Sequence, residues 1–508
     1  MENQIRFGWG SADISTEAPL NLPGQFHMRI SKGILDPLTV TALAVENNGC
    51  TLMLISADLI DCRCGLLDRV KEELRERLPQ VPSEAVILSA THTHTGASHT
   101  NGYGAISFPP DEPFYHEGVE IASSAKYREF LISRICDAAC RAYESLSPGG
   151  MAYGYGFAVV GMNRRVFYFD DLSLREGNQN DCLHGVNGHV KMYGNTADPA
   201  FSHYEGGMDP FVNLMFTFDG ENRLTGAIVN VPCPSQCSET EEMLSADYWH
   251  EVRQAVRARY GDIFLLPQCA AAGDLSPRQL HYKKAQERRL QLKFGEARAD
   301  LKRPMNYLHR KDLAERIAAC FDEVYAWAKK EVYQNPIVSH QVKTVMLPTR
   351  EIPQKDYENA LAQYEAAENT PFVTDGTPWE NLDRNSRLMS TRGRYYKIIQ
   401  KVEKRQEKIP MEIHTFRIGP IAFTTNRFEL FLDYQHRIQA RSPFLQTFVV
   451  QLTAQSNSDN GTYLPTQRAL EGRGFGASIY DNLVTPEAGQ IIVEESLSSL
   501  EELWQEQE

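Results

Sequence analysis

Short apolar runs and amphipathic stretches alternate along the whole chain. Thr39–Val45 and Thr51–Ile55 predict two strands joined by an Asn/Gly turn. Leu66–Leu78 predicts an amphipathic helix, and Ala85–Ala90 a buried strand. Residues 126–146 predict a helix with a core stripe through Phe130, Ile132, Ile135, Ala139 and Tyr143. The stretch 150–230 is rich in strands and loops and ends in a strand at 225–231. Residues 246–260 predict a helix and 262–267 another apolar strand. Long charged helical patterns cover 282–331, 354–367 and 385–408, with a loop at 369–381. Strands return at 338–347, 412–425 and 445–453. This alternation predicts a mixed α/β fold, sheets flanked by helices, as a single large domain with a helical insert at about 282–331.

Composition narrows the function classes. The 508 residues are 42% hydrophobic, enough for a large core. A net charge of −14 argues against nucleic-acid and anionic-membrane partners. Basic pairs such as Lys283-Lys284 and Arg288-Arg289 sit among polar and acidic residues and predict a solvated helix face. No apolar stretch reaches membrane length and no signal-like leader is visible, which predicts a cytoplasmic protein with no membrane insertion. Ten cysteines without framework spacing fit reduced thiols.

The chemistry concentrates in two places. Thr91-His92-Thr93-His94-Thr95-Gly96 follows the strand Ala85–Ala90, where open α/β sheets hold their ligands. If strand geometry continues, His92 and His94 point the same way, toward a metal or a substrate. The second is Gln268–Pro277, in which small residues lead into Gly273-Asp274-Leu275-Ser276-Pro277. Its turn holds the Ser276 hydroxyl at a strand end.

In this order along the chain the sequence resembles the neutral, non-lysosomal ceramidases in their catalytic N-terminal region. The resemblance includes Gly8–Ile14, Leu35–Leu38, Ser56–Leu59, the His92/His94 motif, Asn163-Arg164 and Gly207–Pro210. It continues through Ser245-Ala246-Asp247, Ala272–Pro277, Glu429 and Gly461–Thr466. The resemblance implies a zinc amidohydrolase. It implies His92, Glu429 and Tyr463 as zinc ligands, and Ser276, His94 and Arg164 at the reacting bond. Asp274 enters as the acid of the Ser276 turn. Such a Zn²⁺ site lowers the pKa of a bound water to roughly 7.

The pattern breaks once. The segment after Asn230 reads Val231-Pro232-Cys233-Pro234, and Pro234 stands where the resemblance implies a fourth ligand histidine. Cys233 and His250 are the candidate replacements, with His27 and His99 as further polar candidates. The 45 residues after Tyr463 are too few for the β-sandwich domain of longer ceramidases. These features predict a metal-dependent hydrolase of an amide or ester in a small polar, sugar-derived substrate. A true ceramidase on lipid, a metal-independent lyase or isomerase acting on a sugar acid through His92, His94 and Arg164, and a binding protein without activity stand as alternatives.

Overall fold

The computed structural model describes residues 4–100, 117–177, 182–183, 186–296, 298–456 and 462–506. Its centre is a sandwich of two sheets. An eight-stranded mixed sheet has the spatial order Phe264–Cys269, Leu224–Val231, Phe211–Asp219, Ser147–Phe157, Arg6–Asp13, Thr39–Asn47, Cys50–Ala57, Val86–Ala90. A four-stranded sheet follows the order Val338–Pro348, Lys408–Ile418, Ile421–Thr425, Gln446–Val450. The sheets meet through Phe7, Trp9, Leu43, Phe416, Phe423 and Phe448, all buried. Phe423 stacks on both Phe416 and Phe448, at 4.6 and 4.3 Å between centroids.

Helices cover the outer faces. Ser124–Glu144, Tyr248–Tyr260 and Pro304–Ala328 pack on the large sheet; Leu432–Arg441 and Pro486–Gln505 pack on the small one. Among the described residues, no helix is long and apolar enough to cross a membrane.

The eight-stranded sheet coils until its ends approach each other. The Ser56 hydroxyl, one strand in from one edge, donates to Pro267 O on the opposite edge strand at 2.5 Å. Both edge strands run parallel to their neighbours. Their C-terminal ends deliver the His92/His94 loop and the Gly273–Ser276 turn to one place.

Several predicted elements change on inspection. In Ser124–Glu144 the buried face runs through Tyr127, Leu131, Ile135, Ala138 and Ala142, while Phe130 is exposed. Phe130 and Ile132 are two residues apart and so lie on opposite sides of a helix. The pattern at 282–331 forms two helices, Lys283–Phe294 and Pro304–Ala328, broken at Gly295 and restarted by Pro304 at the first turn. The second helix is a core element, with Arg310 fully buried against Asp36 and Glu251. The loop at 369–381 is shorter than expected. Thr377 and Glu380 form a reciprocal capping box that starts a helix at Pro378. Residues 412–425 are two strands of a hairpin, turned at Gly419 with φ +61°.

Candidate active site

Two short ladders assemble the site. Glu429 pairs directly with Tyr463 across the two-stranded parallel ladder Glu429–Leu430 and Tyr463–Leu464. Ser276 pairs with Met162 in the ladder that also sets Asn163, and Arg164 follows at once. Gly273 joins the two ladders: its N–H donates to Leu430 O at 2.8 Å. A Cβ at Gly273 would stand 2.4 Å from Glu429 O, so this close approach requires glycine.

The strand before His92 ends at Ala90, so the two histidines do not continue a strand. His92 has a left-handed backbone, φ +61°, a conformation that costs of order 1 kcal/mol or more outside glycine. The rings of His92 and His94 therefore stand edge-on, 4.9 Å apart at 83°. His92 Nδ1 is 2.7 Å from Ile60 O, which fixes it as the protonated nitrogen. Its Nε2 lies 3.3 Å from Glu429 Oε2. Burial disfavours both charges, yet the pairing outweighs it: His92 is raised and Glu429 lowered from their ordinary values.

Arg164 completes this group. It donates to Tyr463 Oη at 3.1 Å, Gly273 O at 2.9 Å and Tyr193 Oη at 3.3 Å. Burial, and then the Glu429 carboxylate, push the Tyr463 phenol well above its ordinary value. Ser276 is fully buried; its hydroxyl accepts from Tyr193 Oη at 3.2 Å, Gln236 Nε2 at 3.1 Å and the Arg278 N–H at 3.2 Å. These three donors share the two lone pairs of the serine oxygen and hold it in one orientation.

His94 is different. Burial, and then the neighbouring His92 and Arg29, lower it well below the usual imidazole range, so it is neutral. Neither ring nitrogen has a hydrogen-bond partner among the described residues, although Nδ1 lies 3.4 Å from Glu239 Oε2 at an angle that makes no bond. Arg29 holds the His94 carbonyl at 2.5 Å. Gly24, φ +104°, leaves room for the ring: a Cβ there would lie 2.6 Å from His94 Nδ1. Glu239 is itself buried and ion-paired to Arg278.

The other expected residues lie elsewhere. Asp274 does not face the site. Its carboxylate accepts from Leu432 N and Asn163 Nδ2, both at 2.9 Å, so it positions the turn and caps the helix Leu432–Arg441. Cys233 sits in the main core with its thiol on Pro234 O at 3.4 Å, and burial pushes that thiol well above its ordinary value. His250 lies on the helix Tyr248–Tyr260, within reach of the charges of Asp36 and Arg310. His27 faces Arg387 and Asp383 and is lowered to about 4, first by burial. His99 bonds Asp61 O at 3.0 Å. Gly461 lies outside the described residues.

Tyr193, Gln236, Glu239 and Arg278 are site residues that sequence reasoning missed. Gln236 had a signal, since it closes the segment in which Pro234 breaks the pattern. Tyr193 had none, because it comes from a loop between minor strands.

The donors suit a metal on three sides. The 3.3 Å between His92 Nε2 and Glu429 Oε2 is about the ligand–ligand edge of a tetrahedron with bonds of about 2.0 Å. Tyr463 supplies a phenol oxygen opposite Glu429. Among the described residues, no group of three or more His, Cys, Asp or Glu side chains gathers to hold a metal, so the phenol would have to be the third donor.

No family model matches the chain. Its sequence is 27% identical over 290 residues to the neutral ceramidase of Pseudomonas aeruginosa, a match spanning 54% of this chain and 37% of that relative. The crystal structure of the P. aeruginosa neutral ceramidase superposes on 99% of this chain and 75% of its own, with a TM-score of 0.64 at 19% identity. A ceramidase complexed with C2 does so over 99% and 76%, with a TM-score of 0.62 at 17% identity. The layered α/β architecture is thus a ceramidase-like fold. Within it, this chain is a divergent, neutral-ceramidase-like protein.

Proposed function

We propose that this protein is a metal-dependent hydrolase that cleaves an amide, or an ester, in a small polar, sugar-derived substrate. The observation that carries the reading is the convergence of His92, Glu429 and Tyr463 beside a buried serine held by Tyr193 and Gln236. His92, Glu429 and Tyr463 would hold the metal, with zinc the species that suits N and O donors. A metal there supplies Lewis-acid polarisation of a carbonyl and a water of lowered pKa.

The chain's own residues divide the remaining work. Arg164 keeps Tyr463 turned toward Glu429 and sets the turn of Gly273. Ser276 offers its hydroxyl proton as a hydrogen bond to an oxyanion, a type of contact worth several kcal/mol in a water-excluded site. His94, neutral and unpartnered, is suited to carry a proton to the leaving amine. Ten free cysteines support a reducing compartment such as the cytoplasm as part of the same proposal.

The relative's name favours a second reading, in which the substrate is ceramide itself. Release of amine from a panel of N-acyl amino acids and N-acyl sugars, run beside a detergent-dispersed ceramide, separates the two. Turnover of ceramide alone would remove the polar-substrate reading. Absence of any amine release, and of alcohol release from the matching O-acyl esters, with metal supplied, would remove both.

A further inference from the structure

Beside the residue that orients His92 lies a small cavity. Pro23, Ile60, Asp61, Arg63 and His99 line it. Its free volume of about 10 Å³ is room for one water-sized group. Ile60 ties the cavity to the reacting centre. Its carbonyl lies 2.7 Å from His92 Nδ1. A Cβ on Gly24 would meet both Ile60 Cδ1, at 3.0 Å, and the His94 ring. Arg63 is also within electrostatic reach of the Glu429 carboxylate.

Two of the lining residues each bury a nitrogen that has no partner among the described residues, Arg63 Nε and His99 Nδ1. The Arg63 charge is already matched, since its Nη2 lies 2.5 Å from Asp61 Oδ2. His99 is 2% exposed and places Nε2 3.0 Å from Asp61 O. A carbonyl only accepts, so Nε2 carries the proton of the neutral ring and Nδ1 presents a lone pair. Burial lowers His99 below its ordinary value, which keeps the ring neutral. The hydroxyls of Ser98 and Thr100, on the same wall, bond each other at 3.4 Å.

The cavity therefore offers one N–H donor and one acceptor, each costly to leave unmatched. A carboxylate is a poor occupant. It would meet the His99 lone pair, and Asp61 already neutralises Arg63. An apolar group would satisfy neither nitrogen. A hydroxyl satisfies both, accepting from Arg63 Nε and donating to His99 Nδ1. The Arg63 side chain is 23% exposed, so this wall of the cavity reaches solvent.

We propose that Arg63 Nε and His99 Nδ1 form a subsite for one hydroxyl of the substrate, so that the amide cleaved carries a nearby hydroxyl, as an N-acylated amino sugar does. This rests on the amide-hydrolase reading above. Water is the competing occupant, and a substrate hydroxyl that displaces it reproduces both of its bonds.

The test uses N-acetylglucosamine and N-cyclohexylacetamide, two ring amides of which only the first carries hydroxyls. Binding to the intact chain is measured by isothermal calorimetry, and amine release is followed separately. The hydroxylated probe is expected to bind about tenfold tighter. Two substitutions separate the donor from the charge. Arg63→Lys keeps a cation for Asp61 but puts a methylene where Nε stands, and should bring the two affinities together. Arg63→Gln removes the charge but keeps an N–H donor at that place, and should hold them apart. Should either variant fail to fold, His99→Leu and His99→Asn repeat the comparison at the acceptor, with the difference lost in the first and kept in the second. Equal affinities in the wild-type chain mean a site for water alone and overturn the subsite, as does binding of neither probe. A difference that survives Arg63→Lys, or is lost in Arg63→Gln, overturns it too. A difference lost only in Arg63→Lys keeps the subsite even where neither probe releases amine, a result that counts against the hydrolase reading alone. Amine release at equal affinity does the reverse.

Discussion

His92 Nε2 stands 3.3 Å from the Glu429 carboxylate while its other ring nitrogen is committed to the carbonyl of Ile60. An imidazole locked at Nδ1 offers only Nε2, which is how metal-binding histidines are oriented by their outer partners. Protein purified without added metal or a His tag is therefore expected to carry near-stoichiometric metal by elemental mass spectrometry. His92→Ala and Glu429→Ala should each lower that content by about tenfold or more. Cys233→Ser should leave it unchanged, because the thiol points into its own backbone. Loss of metal with Cys233→Ser would make that thiol the fourth ligand. Metal-free protein that takes none up on titration would shift the chemistry to an imidazolium–carboxylate pair.

Three donors share the two lone pairs of the Ser276 oxygen, which packs in a fully buried turn. Ser276→Ala removes an oxyanion partner and is expected to cut kcat by about 100- to 1,000-fold. The cost in stability is about 1 kcal/mol for each bond lost, because Tyr193 and Gln236 are already bonded to one another and keep that bond without Ser276. Melting temperature should thus barely move while kcat collapses. Unchanged kcat on a substrate the protein turns over would remove Ser276 from the reacting bond.

Asp274 separates in the opposite sense. Asp274→Ala leaves the Leu432 N–H unpartnered and takes from the Asn163 amide its shorter bond, with Gly207 O at 3.4 Å its remaining acceptor, about 1–3 kcal/mol for a buried group left without a partner. Activity per molecule and thermal stability should then fall together, and Asp274→Asn should recover part of both. The sign of the pH effect follows from burial, which raises this carboxyl to about 6. The folded state holds the proton more tightly, so its contribution is greatest below about pH 4 and is lost as pH rises to 6. A variant that loses activity with its melting temperature intact would return Asp274 to direct chemistry.

The sequence motifs divide along the same line between chemistry and scaffold. His92 and Ser276 were legible because each follows or ends a strand, whereas Arg164, Glu429 and Tyr463 were named through the resemblance to the ceramidases. Asp36, Asp58 and Asp247 belong to motifs just as distinct, yet they are structural. Asp36 accepts from Ser245 Oγ, Ala246 N and Arg310. Asp58 takes a two-pronged bond from Arg253. Asp247 caps the helix that follows it. A local pattern says that a carboxylate matters, and only its partners, here more than 190 residues away in sequence for Asp36 and Asp58, say why. Tyr193 and Glu239 stayed hidden for that reason: their roles exist only after distant segments meet. The capping box at Thr377 was readable and shows how a Thr-Pro-x-Glu start can pass for loop.

Lys401 gives a pH test independent of any substrate. Its ammonium donates to Ile479 O at 2.7 Å and Asn482 O at 2.9 Å, behind Lys397 on the same helix. Burial, and then Lys397, lower it to about 7, with Arg394 and Arg350 acting the same way and Asp481 against them. The unfolded chain keeps its proton up to the ordinary value of about 10.4. Between these limits the unfolded state binds more protons, so stability rises with pH from about 7 to about 10. Below about 7 both states are protonated and this contribution is flat. Denaturant midpoints measured across that range should climb for the wild-type chain, and the slope should shrink in Lys401→Met. An identical slope in the variant would mean that the folded protein holds this ammonium at its ordinary value, with the two carbonyls offsetting its burial.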